Sequence, residues 1–487
     1  MIRKIGFSLV GILIFVSAFT QGTNKGEIQG KVYNAKNNEP VPFANVIIFK
    51  TDIGTATTFD GEFKLTGIKP GFVKLQVSAV GYETYVSPEI MVTNARTVNF
   101  DVRLSEANIS LDEVVVKPSP FKKTKESPVS FQKIGVRDIE RSPGANRDIS
   151  KVIQSFPGVA STPVQRNDVI VRGGGPSENS FYLDDVEIPN INHFATQGAS
   201  GGPVGILNVD FIREVNLYSG AFPANRGDAL SSVLEFKQKD GNKEKMEVQG
   251  TLGASEVALT LDGPLGNKTT YIFSARRSYL QLLFAALELP FLPTYNDIQF
   301  KTKTRFNEKN ELTLIGLGAL DQFDLNLEAN ETENQRYILN YLPVNEQWNY
   351  TVGAVFKHYK EKSYDTWVVS RSYLNNRSYK YQDNIEVDSL KTFDYRSTEV
   401  ENKFRYENTS FSDNGFKINY GAGIEYAFYT NNTFRKQFLG DDQFVLNYNT
   451  TLDIWKWSVF GQVSKEFLKN KLALSIGVRT DANNYSS

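Results

Sequence analysis

The second half of the chain alternates apolar and polar residues over long stretches. In FKINYGAGIEYAF (residues 416–428), aromatic and aliphatic side chains fill every second position, as they do in WNYTVGAVF (residues 348–356). In IQFKTKTRF (residues 298–306), Ile298 and Phe300 alternate with Gln299, Lys301, Lys303 and Arg305. A period of two places alternate side chains on opposite faces of a strand. A soluble sandwich would show the same alternation, but strands of about ten or more residues with aromatic ends are typical of a transmembrane β-barrel.

The connections between these strands alternate in length. Tight turns are predicted at NEKN (residues 307–310), SDNG (residues 412–415) and LKNK (residues 468–471). Long links are predicted at Leu280–Asn296, Asp321–Gln335 and Asn431–Thr451. Short turns at one end and long loops at the other are what a transmembrane barrel predicts. We count about a dozen candidate strands after Met246.

The amino terminus predicts export. MIRKIGFSLVGILIFVSAFTQG places Arg3 and Lys4 before the apolar run Ile5–Val16, which small and polar residues follow. This is the pattern of a signal peptide over residues 1–20, with cleavage near Gln21. An uncleaved anchor helix is the alternative, but the run is shorter than the ~20 residues that a span requires. Since no later segment has the pattern of a spanning helix, a mature membrane protein of this sequence would have to be a β-barrel.

Composition limits the classes of function. With 487 residues, two or three folding units are expected. Because Lys plus Arg (54) nearly equals Asp plus Glu (55), there is no electrostatic case for a nucleic-acid partner. There is no cysteine and there are only two histidines, so neither a Ser-His-Asp nor a Cys-His arrangement is apparent. A secreted hydrolase that uses paired carboxylates stays open, because carboxylate separation is a three-dimensional quantity. We expect that the protein is not an enzyme and that it has neither a cofactor nor a metal site.

The segment Gly26–Leu104 has the pattern of a small β-sandwich of about seven strands, separated by turn residues such as Asp60-Gly61 and Pro70-Gly71. GKV, PVPFANVII, GTATTFDGEFKLTGIKPG and VSAVGYET, in that order, resemble the carboxypeptidase regulatory-like (transthyretin-like) family over residues 26–105. The resemblance does not imply peptidase chemistry, because both histidines, His193 and His358, lie far from this segment.

Residues 106–128 have the composition of a linker, with two acids and three valines ahead of a proline- and lysine-rich tract. Val114–Val116 could complete the preceding sheet or could be offered as a strand to the sheet edge of a partner. The sequence DEVVV resembles the TonB box of TonB-dependent outer-membrane receptors, which the energy-transducing protein TonB binds. The resemblance implies that TonB contacts five residues: Asp112, Glu113, Val114, Val115 and Val116.

The next segment, residues 129–240, begins with two short helical patterns, broken at Pro143-Gly144 and ended at Pro157-Gly158. DVIVRGGGPSENSFYLDDVEIPN and IREVNLYSGAFPANRGDALSSVLEF follow, and together they resemble the plug domain of TonB-dependent receptors. Asp185 and Glu187 depart from the family pattern, which has Gly and Pro there, and Ala221-Phe222 replaces its usual Gly-Pro neighbourhood.

The glycines of this segment, Gly173–Gly175, do not fit a nucleotide or calcium site. A phosphate-binding loop needs Gly-Lys-Ser/Thr opening a helix, and a calcium loop needs acids at alternate positions. The remaining explanation for these glycines is that the backbone passes close to neighbouring groups, where a larger side chain would not fit. Paired charges are expected among Arg172, Asp184 and Asp185, within the plug or with the barrel. The predicted structural and gating residues of the plug are Arg172, Gly173, Gly174, Gly175, Asp184, Asp185, Arg213, Glu214, Gly220, Arg226 and Gly227.

The resemblance implies a mainly β protein with three parts: a sandwich, an α+β plug and an antiparallel transmembrane β-barrel from residue 245 to 487. The family barrel has about 22 strands, so we expect this sequence to be the amino-terminal part of a longer protein. It implies a bacterial outer-membrane protein, with its N-terminal domain in the periplasm, that imports a scarce solute when TonB supplies energy.

The expected partners are TonB, the lipids of the outer membrane and an unidentified solute, which could be an iron chelate, cobalamin, a glycan or a peptide. A surface lipoprotein is a further candidate partner, and a structural platform that assembles with such lipoproteins without transport is the alternative function. Six aromatic residues predicted near the outer loops could stack on a solute or anchor at the membrane interface: Phe284, Phe291, Tyr295, Phe323, Tyr379 and Tyr381.

Overall fold

The structure is a computed structural model that describes residues 25–107, 126–127, 130–145, 148–160, 166–195, 201–439, 442–468 and 472–485. The predicted signal peptide and the predicted TonB-binding residues lie outside the described residues.

The N-terminal domain, residues 25–107, is made of short strands packed around one apolar core. Its strands are β1 (Gly26–Asn34), β2 (Asn45–Ile48), β3 (Gly54–Ala56), β4 (Glu62–Ile68), β5 (Gly71–Val73), β6 (Leu75–Ser78), β7 (Tyr85–Val86), β8 (Ile90–Val92), β9 (Thr97–Asn99) and β10 (Val102–Leu104). One sheet has the order β10-β1-β4, with β9 also paired to β1; a second has the order β3-β2-β6-β7; and β5 pairs with β8. Apolar side chains such as Ile28, Val46 and Leu75 are fully buried between them.

These strands number ten rather than the seven predicted. One cause is visible in TVNFDVRL, a single period-two run that forms two strands on the same neighbour: β9 pairs with the start of β1 and β10 with its end. Between them the Asp101 carboxylate accepts a hydrogen bond from the Lys31 amide at 2.9 Å. A side chain thus replaces one ladder hydrogen bond, and the period of the sequence does not reveal that interruption.

The described part of the predicted plug, residues 129–240, combines small sheets with two α-helices. Its elements are β11 (Phe131–Gly135), α1 (Val136–Arg141), α2 (Ile149–Gln154), β12 (Val159–Ala160), β13 (Ile170–Val171), β14 (Asn179–Leu183), β15 (Val186–Ile188), β16 (Asn192–His193), β17 (Val204–Gly205), β18 (Ile212–Tyr218) and β19 (Ser232–Gln238). The main sheet has the order β11-β18-β19-β14-β15, and β12-β13 and β16-β17 are two-stranded. Both predicted helices are present, and Asp148 caps α2 by accepting a hydrogen bond from the Ser150 amide.

From residue 247 the chain forms one antiparallel sheet, which we call the wall. Its strands are β20 (Glu247–Leu252), β21 (Glu256–Pro264), β22 (Thr269–Ser278), β23 (Phe291–Asn307), β24 (Asn310–Leu325), β25 (Val344–Tyr359), β26 (Ser363–Tyr381), β27 (Lys391–Phe411), β28 (Lys417–Leu439), β29 (Asp442–Phe467) and β30 (Leu472–Asn483). They are ordered consecutively, so β20 and β30 are the two edges among the described residues. Two short helices lie in the links: α3 (Leu280–Ala286) and α4 (Glu333–Tyr341).

The two faces of the wall differ as the alternation predicts. On β25, Trp348 and Val352 are exposed on the outer face, whereas Asn349 and Thr351 are buried on the inner face. Two aromatic clusters mark the outer face: Trp348 stacks on Tyr373, and Phe356 contacts Trp367. Trp348 and Phe356 are eight residues apart, roughly 26 Å along a strand at ~3.3 Å per residue. This is comparable to the apolar band of about 25 Å between the aromatic girdles of outer-membrane barrels.

The tight turns at residues 307–310 and 412–415 are confirmed, because β23, β24, β27 and β28 end or begin there. The predicted long link Asn431–Thr451 is wrong. There β28 and β29 continue as a paired hairpin, with registered pairs as far as Leu439 and Asp442. Strands that extend beyond the apolar band have both faces in water, so their sequence loses the alternation while their backbone pairing continues. Among the described residues, no helix is both long enough and apolar enough to cross a membrane.

Candidate gating interface between plug and wall

The glycine-rich segment places its backbone where side chains do not fit. Arg172 and Gly173 follow β13 with φ of 51° and 82°. A Cβ atom on Gly174 would lie 2.4 Å from the Ser231 hydroxyl, whereas Gly175 has only ordinary contacts. The Arg172 guanidinium donates a hydrogen bond to the Ser130 hydroxyl at 2.9 Å. This segment therefore packs within the plug, against β19 and the start of β11.

The two acids that end β14 form the tip of a hairpin. Asp184 and Asp185 have φ of 45° and 74°, and they are the only residues between β14 and β15. Two consecutive residues with positive φ are typical of the two-residue turns that match the twist of a hairpin, and aspartate tolerates that conformation better than most side chains. The turn directs both carboxylates toward basic side chains of the plug and of the wall.

Asp185 has three cationic partners. Its carboxylate lies 3.2 Å from Arg226, 3.2 Å from Lys237 and 2.9 Å from Lys357, which is on β25 of the wall. Burial would raise the pKa of the Asp185 carboxyl, but these cations outweigh burial and hold that pKa well below its ordinary value of 3.8. A carboxyl with a lowered pKa stabilises the fold above its unfolded-state pKa, and this contribution is lost as pH falls through the folded-state value.

The neighbouring plug acids face wall bases in the same way. Lys301 lies 2.9 Å from both Asp184 and Asp240, and Lys403 lies 2.8 Å from Glu187. The Arg405 guanidinium donates to the Asp185 backbone carbonyl at 2.8 Å. We call this set the plug–wall ionic cluster; it comprises Asp184, Asp185, Glu187 and Asp240 of the plug with Lys301, Lys303, Lys357, Lys403 and Arg405 of the wall.

Arg226 adds a further contact between the plug and β27, the strand that also carries Lys403 and Arg405. Its guanidinium lies 2.8 Å from Glu235 of the plug and 3.5 Å from Glu407 on β27, and it stacks over the Tyr182 ring. The adjacent Gly227 leaves room for the Arg479 guanidinium of β30. A Cβ atom on Gly227 would lie 2.3 Å from that guanidinium.

The other predicted plug residues lie away from the wall. Glu214 pairs with Lys133 of β11 at 2.6 Å, and the Arg213 guanidinium lies over the Phe100 ring of the N-terminal domain. A Cβ atom on Gly220 would lie 2.8 Å from the Arg172 guanidinium. The structure thus brings Asp184, Asp185, Arg226 and Gly227 to the wall, and it places the remaining predicted plug residues elsewhere in the plug.

An apolar contact accompanies the ionic cluster. The buried core of the plug continues into inward side chains of the wall, including Ile315, Leu317 and Val355. Opposite β15 the wall carries Gly353, and a Cβ atom there would lie 2.6 Å from a methyl group of Val186. A cavity of about 250 Å³ lies between the plug and β26–β30.

The sequence prediction missed the wall side of the interface. Lys301, Lys303 and Arg305 alternate in IQFKTKTRF, and their inward direction was the available signal. It also missed His193, which is fully buried between wall carboxylates. Of the six aromatic candidates, Tyr295 is fully buried against His193, and Phe323 contacts Phe194 of the plug. Among the described residues, no group of three or more His, Asp or Glu side chains is arranged to hold a metal ion.

Two family models match the chain. Residues 28–116 match the CarboxypepD_reg-like domain, and residues 123–233 match the TonB-dependent Receptor Plug Domain. These matches confirm the two resemblances that the sequence motifs predicted.

Curated relatives resemble about half of the chain. TonB-dependent receptor P39 of Formosa agariphila is 27% identical over 47% of this chain and 23% of its own length. TonB-dependent receptor SusC of Bacteroides thetaiotaomicron is 24% identical over 52% of this chain and 25% of its own length. The matched part of this chain thus spans about a quarter of these relatives.

Solved structures share the fold. The ferric enterobactin receptor PfeA of Pseudomonas aeruginosa superposes with a TM-score of 0.53 at 15% identity, over 74% of this chain and 59% of that chain. The outer membrane transporter YddB of Escherichia coli gives a TM-score of 0.52 at 13% identity, over 73% and 57% of the two chains. The solved structures confirm the predicted fold class. The plug-domain match and the curated TonB-dependent receptors confirm the predicted outer-membrane location.

Proposed function

We propose that this chain, whose domains and relatives are those of TonB-dependent receptors, imports a scarce solute across the outer membrane when TonB supplies energy. The observation that carries the proposal is a plug domain seated on the inner face of a membrane-type wall through paired, largely buried charges. In this mechanism no covalent bond is made or broken, and transport requires only that the plug move relative to the wall.

The ionic cluster supports a closed resting state. Separating a buried ion pair without new partners costs several kcal/mol, because each charge is left in a poorly solvated site. At least four such contacts join the plug to β23, β25 and β27. Thermal motion alone would rarely break them together, so the plug would need an external source of work.

The fold supports a site for applying that work. Asp112–Val116, the proposed TonB-binding residues, precede the plug, and Val114–Val116 would add as a strand to the TonB sheet. Among the described residues, the first plug strand, β11, is an edge strand that pairs only with β18, through five registered residues from Phe131 to Gly135. A force applied from the amino-terminal side would therefore act on an edge strand whose hydrogen bonds to β18 can break one residue pair at a time.

The N-terminal domain would lie in the periplasm. It contacts the end of the wall that carries the tight turns, where the Asn38 side-chain amide donates to the Glu308 carbonyl at 2.9 Å. The outer face of the wall would contact outer-membrane lipids. The solute would bind at the opposite end, and its class would be an iron chelate, cobalamin, a glycan or a peptide.

The test is a deletion of Leu111–Lys117 in the full-length protein. A strain that lacks the gene is first grown with each solute class as the limiting nutrient, to find the class that the protein supplies. The deletion should then abolish accumulation of that solute while surface binding survives. A deletion of equal length over residues 119–125 is the matched control and should retain uptake.

Uptake that persists without Leu111–Lys117 would refute the TonB-dependent mechanism. A platform that assembles with surface lipoproteins predicts a different result, namely a tight complex with such a lipoprotein and no solute accumulation in either strain.

A further inference from the structure

A histidine of the plug is enclosed by wall residues. His193 belongs to the short strand β16, its ring is fully buried, and it lies where the plug meets β22, β23 and β24. The Nδ1 atom lies 2.7 Å from the Asp321 carboxylate and the Nε2 atom lies 3.1 Å from the Asp297 carboxylate. Both carboxylates are buried as deeply as the ring.

This geometry constrains the protonation of the ring. An ionised carboxylate only accepts hydrogen bonds, and a neutral imidazole donates through one nitrogen only. Two carboxylates on the two nitrogens are both satisfied when the ring carries both protons and a positive charge. In the neutral ring one nitrogen would present a lone pair to a carboxylate, and only the longer 3.4 Å contact of Nε2 with Arg276 would satisfy it.

Charged groups from every neighbouring wall strand surround the ring. Arg276 on β22 pairs with Asp297 at 2.8 Å and reaches Glu256 on β21 at 3.7 Å. Tyr295 on β23 stacks on the His193 ring at 4.3 Å and donates its hydroxyl to Glu256 at 2.5 Å. On the plug side, Arg276 also interacts electrostatically with Asp148, and it donates to the backbone carbonyl of Gly205 at 2.9 Å. Three wall acids therefore face two cations, so loss of the histidine proton would raise the local excess of negative charge from one to two.

The backbone next to His193 is strained. Phe194 has a φ of 53°, which is a rare conformation for a bulky side chain. Its amide donates to the same Asp321 carboxylate at 2.7 Å, and its ring meets Phe323 edge-on at 6.5 Å. Strained backbone persists where surrounding contacts hold it, so release of Asp321 would let this segment relax away from the wall.

We infer that His193, as an imidazolium, is a positioning residue that fastens the outer part of the plug to β23 and β24, and that deprotonation of His193 releases this contact. The inference rests on the proposed function for its consequence, which is that opening the plug includes this release. Burial opposes protonation of the ring, but Asp321 and Asp297 outweigh burial and raise the His193 pKa to about 9. A histidine with a raised pKa stabilises the attached state fully below its free value of 6.5, and this contribution declines as pH rises through about 9.

The experiment measures hydrogen exchange of the Phe194 amide in the full-length protein in outer-membrane vesicles, without TonB and without solute, from pH 6 to pH 10. After correction for intrinsic exchange, protection should fall at least about tenfold between pH 6.5 and 9 in the wild type. H193Q should show low protection at every pH and no such step. H358Q, which replaces the other histidine of the chain, should match the wild type.

A double variant, H193Q/D321N, tests whether charge is the cause. It removes one cation and one anion together, so it should recover part of the protection and remain insensitive to pH. The inference would be overturned if the fall in protection with pH persisted in H193Q, or if it were absent from the wild type. If H193Q does not insert into the membrane, the wild-type pH series alone still decides. This measurement does not depend on uptake. A negative transport assay would therefore not contradict the inference about His193, and a negative exchange result would not contradict the proposed transport.

Discussion

Asp185 is the residue whose surroundings most clearly explain why acids end the strand β14. It lies in a two-residue turn with positive φ, where glycine would meet the backbone requirement equally well. Aspartate adds a largely buried charge that contacts Arg226 and Lys237 of the plug and Lys357 of the wall. The departure from the family pattern at this position therefore has an electrostatic role.

At this scale we predict that D185N loosens the plug. The amide would leave the buried Arg226 and the partly buried Lys237 and Lys357 without their shared anion, which should lower the free energy of plug opening by up to about 3–5 kcal/mol. The chain has no cysteine, so S232C at a fully buried plug position provides a single thiol. The urea concentration at which that thiol becomes reactive should fall in D185N. D413N, at an exposed pair on a wall turn, is the matched control, and an equal effect there would contradict the prediction.

The hairpin β14–β15 is the element that connects the plug sheet to the wall. Its turn carries the charges, and its second strand rests on β25, where Gly353 leaves space for Val186. The close approach of β15 to β25 requires that Gly353 has no side chain. The ion pairs beside it require side chains long enough to span the distance between the plug and the wall. Both conditions belong to the fit of two elements and not to either element alone.

We predict that G353A separates these two elements. The added Cβ atom would lie 2.6 Å from a branched side chain that is fully buried, and such overpacking costs about 1–3 kcal/mol. Hydrogen exchange at the β15 amides should become about tenfold faster, since each tenfold corresponds to about 1.4 kcal/mol. G461A on β29 is the matched control, because a Cβ atom there meets nothing within 4 Å. Unchanged exchange in G353A would show that β15 does not rest on the wall.

At the scale of the whole molecule, the N-terminal domain is seated on the turn end of the wall. Asp101 lies 2.8 Å from Arg305 on β23, and the Arg103 guanidinium donates to the Tyr359 hydroxyl at 2.7 Å. Arg103 also lies 3.4 Å from Glu311. The domain is therefore positioned by a specific set of charges.

We predict that R305D detaches this domain. Asp101 and Glu311 would then face a third negative charge, and like charges in contact cost several kcal/mol. In an N38C/E308C background, the yield of a short thiol cross-link should fall about tenfold in R305D and recover in part in R305D/D101R. K362D, at another wall turn, should leave the yield unchanged. A full yield in R305D would show that other contacts hold the domain.

The order of the motifs identified the families of the N-terminal domain and of the plug. The sequence also predicted the two faces of the wall, two of its tight turns and the two plug helices, because period-two patterns and turn residues act over a few neighbouring positions. It did not determine where the β28–β29 hairpin ends, since pairing in water needs no alternation. Only the tertiary structure decided the charge partners. Asp185 and Lys357 are 172 residues apart, and His193 and Asp321 are 128 apart. A charge in a sequence shows that a partner is needed, but the register of strands that are distant in the chain decides which residue that partner is.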